Sequence, residues 1–293
     1  MKLKPSMGDI IFRVCNTIFM ILLMIVCVYP LYYVLMASLS NSNQLVAHSG
    51  VLLVPLGFNL DSYRAVFDYP IIMRSYLNTI IIVLSGVCIS VVLTVFGAYF
   101  LSRGNICLRR GFMMLIVFTM FFSGGLIPFY LTVKNLGMMD TYFALILPVA
   151  INTFNVIIMR TAFAEISKSL EESARIDGAN DLIILFRIVL PVTMPTVAVI
   201  ILYYGVGQWN AWFHAMIFIK DREMFPIQLV LREILIQKST QGVGSTLLEG
   251  DNPQIAETIK YATVIVATLP ILAIYPFLQK YFVKGVMVGS VKG

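Results

Sequence analysis

Charge is what this 293-residue chain has least of: 12% of its residues are Asp, Glu, Lys or Arg, against 59% apolar. A soluble domain carries about twice that share of charge and about 45–50% apolar residues, so a water-soluble globule is excluded. Metal-ligand chemistry is also poorly supplied, with 2 histidines and 4 cysteines. His48 and His214 lie far apart, no CxxC occurs, and no His/Cys cluster has the spacing of a metal site. Cys15, Cys27 and Cys88 fall in apolar runs and Cys107 in a basic turn, which leaves no pair for a disulfide framework. A phosphate-binding loop of the form G-x-x-x-x-G-K-[ST] is missing. Its nearest approach, GVGST at Gly242–Thr246, lacks the lysine. No internal repeat is found, so an inverted-repeat secondary transporter gains no support.

What the chain does have is length of apolar run. Six stretches suffice to cross about 30 Å of hydrocarbon at about 1.5 Å per residue: Val14–Leu39, Ser75–Leu101, Gly111–Val133, Tyr142–Ala162, Val192–Phe213 and Ala262–Phe282. They hold no Asp, Glu, Lys or Arg except Arg160 and Lys280 near two of their ends. A charge at mid-membrane costs at least about 2.5–3.5 kcal/mol and usually marks an ion or proton relay. A proton-driven carrier therefore has nowhere to place its relay. The expectation is an all-α integral membrane protein of six transmembrane helices. Lys2 and Lys4 before the first run resemble the start of a signal peptide, but the run is too long for one, and it is read as an uncleaved span.

Basic residues set the expected orientation. Lys2, Lys4, Arg13, the turn Arg103, Arg109, Arg110, then Arg160, Lys168, Arg175, Arg187, and finally Lys280, Lys284 and Lys292 all fall on one side if spans alternate. By the positive-inside rule that side is cytoplasmic, with both termini. The net charge of +6 follows from this bias and implies no nucleic-acid partner. The expected organisation is a cytoplasmic tail 1–13, a six-span body 14–283 and a cytoplasmic tail 284–293, with extracellular segments 40–72 and 214–260. Segment 40–72 is expected to form a cap or short helices on the membrane. In 214–260, PIQLVLREILIQK reads as an amphipathic helix begun by Pro226, either a lid on the outer leaflet or part of a dock.

One stretch breaks the pattern. EESARIDGANDLIILFRIVLP, Glu171–Pro191, sets six charges among 21 residues, inside the cytoplasmic segment 164–191. It predicts a short helix Lys168–Gly178, with Leu170, Ser173, Ala174 and Asp177 along one side and Glu171, Glu172 and Arg175 on another. Small residues and Gly178 let another surface approach. A solvated loop is the plainer alternative, yet two glutamates sit badly beside an anionic inner leaflet.

Glu172-Ser173-Ala174, three residues, Gly178, nine residues, then Ile188-Val189-Leu190-Pro191 resembles the EAA motif of bacterial ABC importer permeases, with Ser173 as the single departure. The ending FVKGVMVGSVKG is similar to maltose-type permeases, and MFFSGGLIPFYL and YPFLQKYFVKG to permeases of polysaccharide and oligosaccharide uptake, often in Gram-positive bacteria. The resemblance implies a non-enzymatic translocation subunit in the bacterial cell membrane. It implies as partners a second homologous permease, two cytoplasmic ABC ATPases and an extracellular solute-binding lipoprotein, with an oligosaccharide as substrate. This chain would bind no cofactor, ATP and Mg²⁺ residing on the partners. Glu171, Glu172, Ser173, Ala174, Asp177, Gly178, Ile188, Leu190 and Pro191 become the ATPase-coupling set, and Lys284, Gly285, Gly289, Lys292 and Gly293 a tail that also reaches the ATPase. Importers of peptides or polyamines share this build and remain the alternative. A membrane scaffold or enzyme subunit with a coincidental match is a third.

For the solute path, neutral amides and aromatic rings suit sugar hydroxyls and CH faces. Asn152, Asn155, Gln208, Trp209 and Asn210 are the candidates. Against this stand an interfacial aromatic belt for the tryptophans and helix–helix hydrogen bonds for the amides.

Overall fold

A computed structural model describes residues 6–68, 70–103, 109–237 and 255–290. Among these residues all regular structure is helical. In chain order the helices are α1 (Met7–Ser38), α2 (Ser42–Ala47), α3 (Asp61–Phe67), α4 (Pro70–Ser102), α5 (Arg109–Phe121), α6 (Leu126–Asn135), α7 (Phe143–Ile146), α8 (Thr153–Ala164), α9 (Lys168–Ile176), α10 (Asp181–Ile184), α11 (Leu190–Val192), α12 (Met194–Trp209), α13 (Phe213–Phe218), α14 (Ile227–Gln237) and α15 (Ile255–Ser290). The chain divides into two compact units, one of Met1–Pro70 with Ile234–Thr268 and one of Ile71–Glu233 with Leu269–Gly293.

In the first unit, α1 is apolar around most of its circumference and exposed until its last turns, as a helix facing lipid or another chain must be. The segment after it forms the short helices α2 and α3, and residues 70–72 already belong to α4. Ala37, Leu45 and Leu52 make a small core under them, with Tyr33 and Tyr261 packed edge-on at 6.1 Å. Hydroxyls do the stitching: Thr258 Oγ1 lies 2.6 Å from both Ser42 Oγ and Ser62 Oγ.

The second unit is built on α4. Its buried side repeats at every fourth residue: Ile82, Gly86, Ser90, Thr94 and Ala98. Between helices in lipid there is little hydrophobic gain, so small residues that let backbones approach, and hydroxyls that bond across, do the holding. α8, α10 and α12 pack on this stripe, and Met159, Phe163, Ile184, Leu185 and Ile200 are fully enclosed there. At the far end of α4, Asn78 is fully engaged. Its amide N–H donates to the carbonyls of Glu223 (2.7 Å) and Phe225 (3.1 Å), and its carbonyl accepts from Tyr142 OH (2.8 Å).

Two of the described helices, Met7–Ser38 and Pro70–Ser102, are long and apolar enough to span a membrane. The expected runs Gly111–Val133 and Tyr142–Ala162 are instead broken pairs, bent by 114° and 49°, while Val192–Phe213 begins at a bend of 85° between Asp181–Val192 and Met194–Trp209. The causes are local. Gly124 and Gly125, the latter at φ +84°, part α5 from α6. Pro148 starts a single 3₁₀ turn after α7. Thr193 turns its hydroxyl back onto the Val189 carbonyl at 2.8 Å, with Pro195 following. Counting each pair as one span gives up to five, and Thr258–Ile274 is a shorter apolar stretch within α15.

Candidate functional site

The EAA-like segment folds as α9, one closing turn, α10, a π-helical turn and α11. α9 ends in a Schellman closure: Gly178 N–H donates to Arg175 O (3.0 Å) and Ala179 N–H to Ala174 O (2.9 Å). The closure requires a left-handed residue just past the helix, and Gly178 supplies it at φ +84°. The interval from the motif's second small residue to its glycine is therefore the interval from the third-last helical position to the closing glycine. Ala174 and Ala179, the two ends of the closure, both pack against the core on α4. Asn180 then caps α10, its side-chain oxygen accepting from Ile183 N–H at 2.9 Å.

Beyond α10 a single π-helical turn, Leu185–Val189, precedes α11. Pro191 has no N–H to return to the preceding turn and its ring crowds it. The wider turn relieves that crowding and puts Leu185 and Val189 in the core. Leu190 packs beside them, Ile188 is half-buried and Pro191 is exposed.

The faces of α9 differ from the division read in the sequence. Glu171 is not grouped with Glu172: it turns inward, 8% exposed, and pairs with Arg103 at the end of α4. Glu172, Ser173, Arg175, Ile176 and Asp177 face out, Ile176 at 86% exposure. Arg175 pairs with Asp181 at this surface, a contact worth at most about 1 kcal/mol at such exposure. Lys284, Gly285 and Gly289 fall on the backbone of α15, while Lys292 and Gly293 lie outside the described residues.

A cavity of about 550 Å³ opens between α8, α12 and α13, with α4 on one wall. Asn152, Asn155 and Gln208 line it together with Phe154, Tyr203, Tyr204 and His214. Trp209 and Asn210 do not. Trp209 stacks edge-on to Tyr76 at 5.7 Å and lines an apolar cleft beside Pro270, and Asn210 closes the end of α12.

The three lining amides are not equivalent. Asn152 caps α8, its side-chain oxygen accepting from Asn155 N–H (3.2 Å), and its own N–H donates to Tyr204 OH (3.0 Å). Tyr204 OH also bonds Thr94 Oγ1 at 2.7 Å, so this hydroxyl ties α4, α12 and the break before α8. Gln208 is 8% exposed, and neither amide atom has a partner. It lies over Gly86, where a Cβ would stand 2.2 Å from its oxygen. Sequence inspection missed Gly86, Arg103, Tyr204 and Thr94. The small-residue repeat on α4 was the available signal for Gly86 and Thr94. Burial holds the His214 imidazole below its ordinary pKa, so the described lining is neutral near pH 7.

A helical membrane body with bent spans, joined rigidly to an exposed EAA-type helix, defines the permease class of ABC importers. No protein-family model matches the chain. Relatives do. The polygalacturonan/rhamnogalacturonan transport system permease protein YtcP of Bacillus subtilis is 44% identical over 275 residues, 94% of this chain and 96% of the relative. Protein LplC of the same organism is 42% identical over 284 residues, 97% and 95% of the two chains. Among solved structures, a chain of a bacterial ABC transporter involved in import of the acidic polysaccharide alginate superposes with a TM-score of 0.88 at 34% identity, covering 96% of this chain and 100% of that one. The chain belongs to the family of permease subunits of ABC sugar importers.

Proposed function

We propose that this chain forms one half of the membrane path of an ATP-driven importer of oligosaccharides, including fragments of acidic polysaccharides. The relatives' activities, polygalacturonan/rhamnogalacturonan transport and alginate import, support a sugar over a peptide or polyamine. In this proposal the other half is a second homologous permease, two ABC ATPases bind beneath, and a solute-binding lipoprotein delivers the sugar. ATP and Mg²⁺ act on the ATPases. Six spans and cytoplasmic termini complete the topology, supported by the clustering of basic residues.

The observation that carries the coupling role is the closure of α9. Its outer face, with Glu172 and Ile176, is free to enter a groove, while Ala174 and Ala179 fix its inner face to the core. Closure of the ATPases pulls that face, and α8, α10 and α12 tilt with it. The cavity by Gln208 is the proposed sugar path of this chain: Phe154 and Tyr203 offer ring faces, and Asn155 and Gln208 offer amides.

The test is transport into proteoliposomes by the complete assembly, with ATP hydrolysis followed in parallel. Gly178→Val should abolish uptake while hydrolysis continues. Uptake at the normal rate per ATP would sink the coupling role.

A further inference from the structure

The two adjacent glutamates of α9 face opposite ways, and only one of them can meet an ATPase. Resting on the proposal that α9 is the coupling helix, we infer that Glu171 and Arg103 are positioning residues that latch α4 to α9, so that α4 travels with the coupling helix as one body.

Three observations carry this. Arg103 is the residue directly after α4, and the side chains of Arg103 and Glu171 are 20% and 10% exposed where they meet. Its guanidinium lies over Tyr99, with Cζ 4.2 Å from the ring centroid, so the fork is held by the ring as well as by the carboxylate. Tyr99 packs edge-on to Phe163 of α8 at 6.4 Å, which ties the same corner to the helix entering α9. A surface pair swings freely, but a pair withdrawn from water separates only by leaving both charges unsolvated. The contact therefore resists relative movement of its two helices.

The consequence reaches the cavity. From Arg103 to Gly86 is about 26 Å of unbroken helix at about 1.5 Å per residue. Gly86 is the floor on which the Gln208 amide rests, and Thr79 and Ile82 form part of the cavity wall. A pull on α9 arrives at that wall through α4 as well as through α8 and α12. Glu172 addresses the partner, and Glu171 returns the displacement to the membrane helices.

The experiment uses the complete assembly in proteoliposomes, measuring sugar transported per ATP hydrolysed. Glu171→Gln keeps the shape and removes the charge. It should lower transport per ATP about three- to tenfold with hydrolysis retained, and Arg103→Glu combined with Glu171→Arg should restore part of the loss. A merely structural pair would change the yield or melting temperature of the assembly and leave transport per ATP untouched, and that result overturns the proposal.

A second measurement does not depend on the charge variant assembling. Cysteines at 103 and 171, in a background without the native cysteines, are joined by a short bifunctional reagent. The cysteines remove the charge pair, so transport per ATP should be low before joining and rise towards the native value when the two helices are joined. Transport lost on joining and recovered on cleaving the linker overturns the latch. Gly178→Val is run beside both. If it transports normally per ATP, the coupling role of α9 itself fails. If it uncouples while Glu171→Gln does not, only the latch fails.

Discussion

Gln208 shows how a single side chain separates a binding role from a packing role. A buried amide with neither atom bonded costs roughly 1–3 kcal/mol, and an apolar residue of similar shape is neutral or stabilising in its place. Gln208→Met should therefore keep or raise the melting temperature of the assembly while raising the KM for sugar uptake. Unchanged KM would return Gln208 to mere packing. Asp140 is the opposite case, wholly structural. It stands at φ +60°, and its carboxylate accepts from the N–H groups of Lys220 (2.8 Å) and Asp221 (3.0 Å). The Asp221 bond first, then that of Lys220, holds its pKa below the ordinary 3.8. A lowered carboxylate pKa adds stability that is complete above the unfolded-state value and is lost as pH falls through the folded one. Asp140→Ala should lower the melting temperature at neutral pH and make it less sensitive to acid as pH falls below about 3.9. Asp140→Asn, which tolerates the left-handed backbone and keeps an acceptor, should lose less at neutral pH.

At the scale of the element, the breaks matter more than the helices. The Schellman closure at Gly178 has open space where a Cβ would go, so substitution there is opposed by backbone conformation alone. A β-branched residue costs about 1–2 kcal/mol in that conformation, and Asn, which visits it, should retain most coupled transport where Val does not. The Tyr204 hydroxyl joins three elements at once, so Tyr204→Phe strips Asn152 N–H and Thr94 of a buried partner. A loss of about 1–3 kcal/mol is expected, read as a lowered melting temperature in detergent. The same scale explains what was legible beforehand. The amphipathic run after Pro226 gave α14, and the motif spacing placed α9, because both depend on local periodicity and capping. Runs read as single spans proved bent, since hydropathy is blind to the direction of the axis and responds only to the sum of apolar residues. The inward turn of Glu171 was not legible either, because its cause is Arg103, 68 residues away along the chain.

At the scale of the molecule, composition settled the solvent and one motif settled the class. Few charges in long apolar runs require a bilayer, and a charged peg set among them requires something outside the bilayer to receive it. Which of the polar residues line a path could not be read from their types: Asn155 and Gln208 reached the cavity, while Trp209 and Asn210, directly following Gln208, turned elsewhere as the helix rotated. The proposed function, sugars passed through the membrane with ATP hydrolysed by partner subunits, has one direct test. The most direct measurement is ATP-dependent uptake into proteoliposomes holding the full assembly, with neutral and acidic oligosaccharides, peptides and polyamines supplied in turn. Uptake of an oligosaccharide class, lost with Gly178→Val, is the expected result. Uptake of peptides or polyamines with no oligosaccharide carried would contradict it.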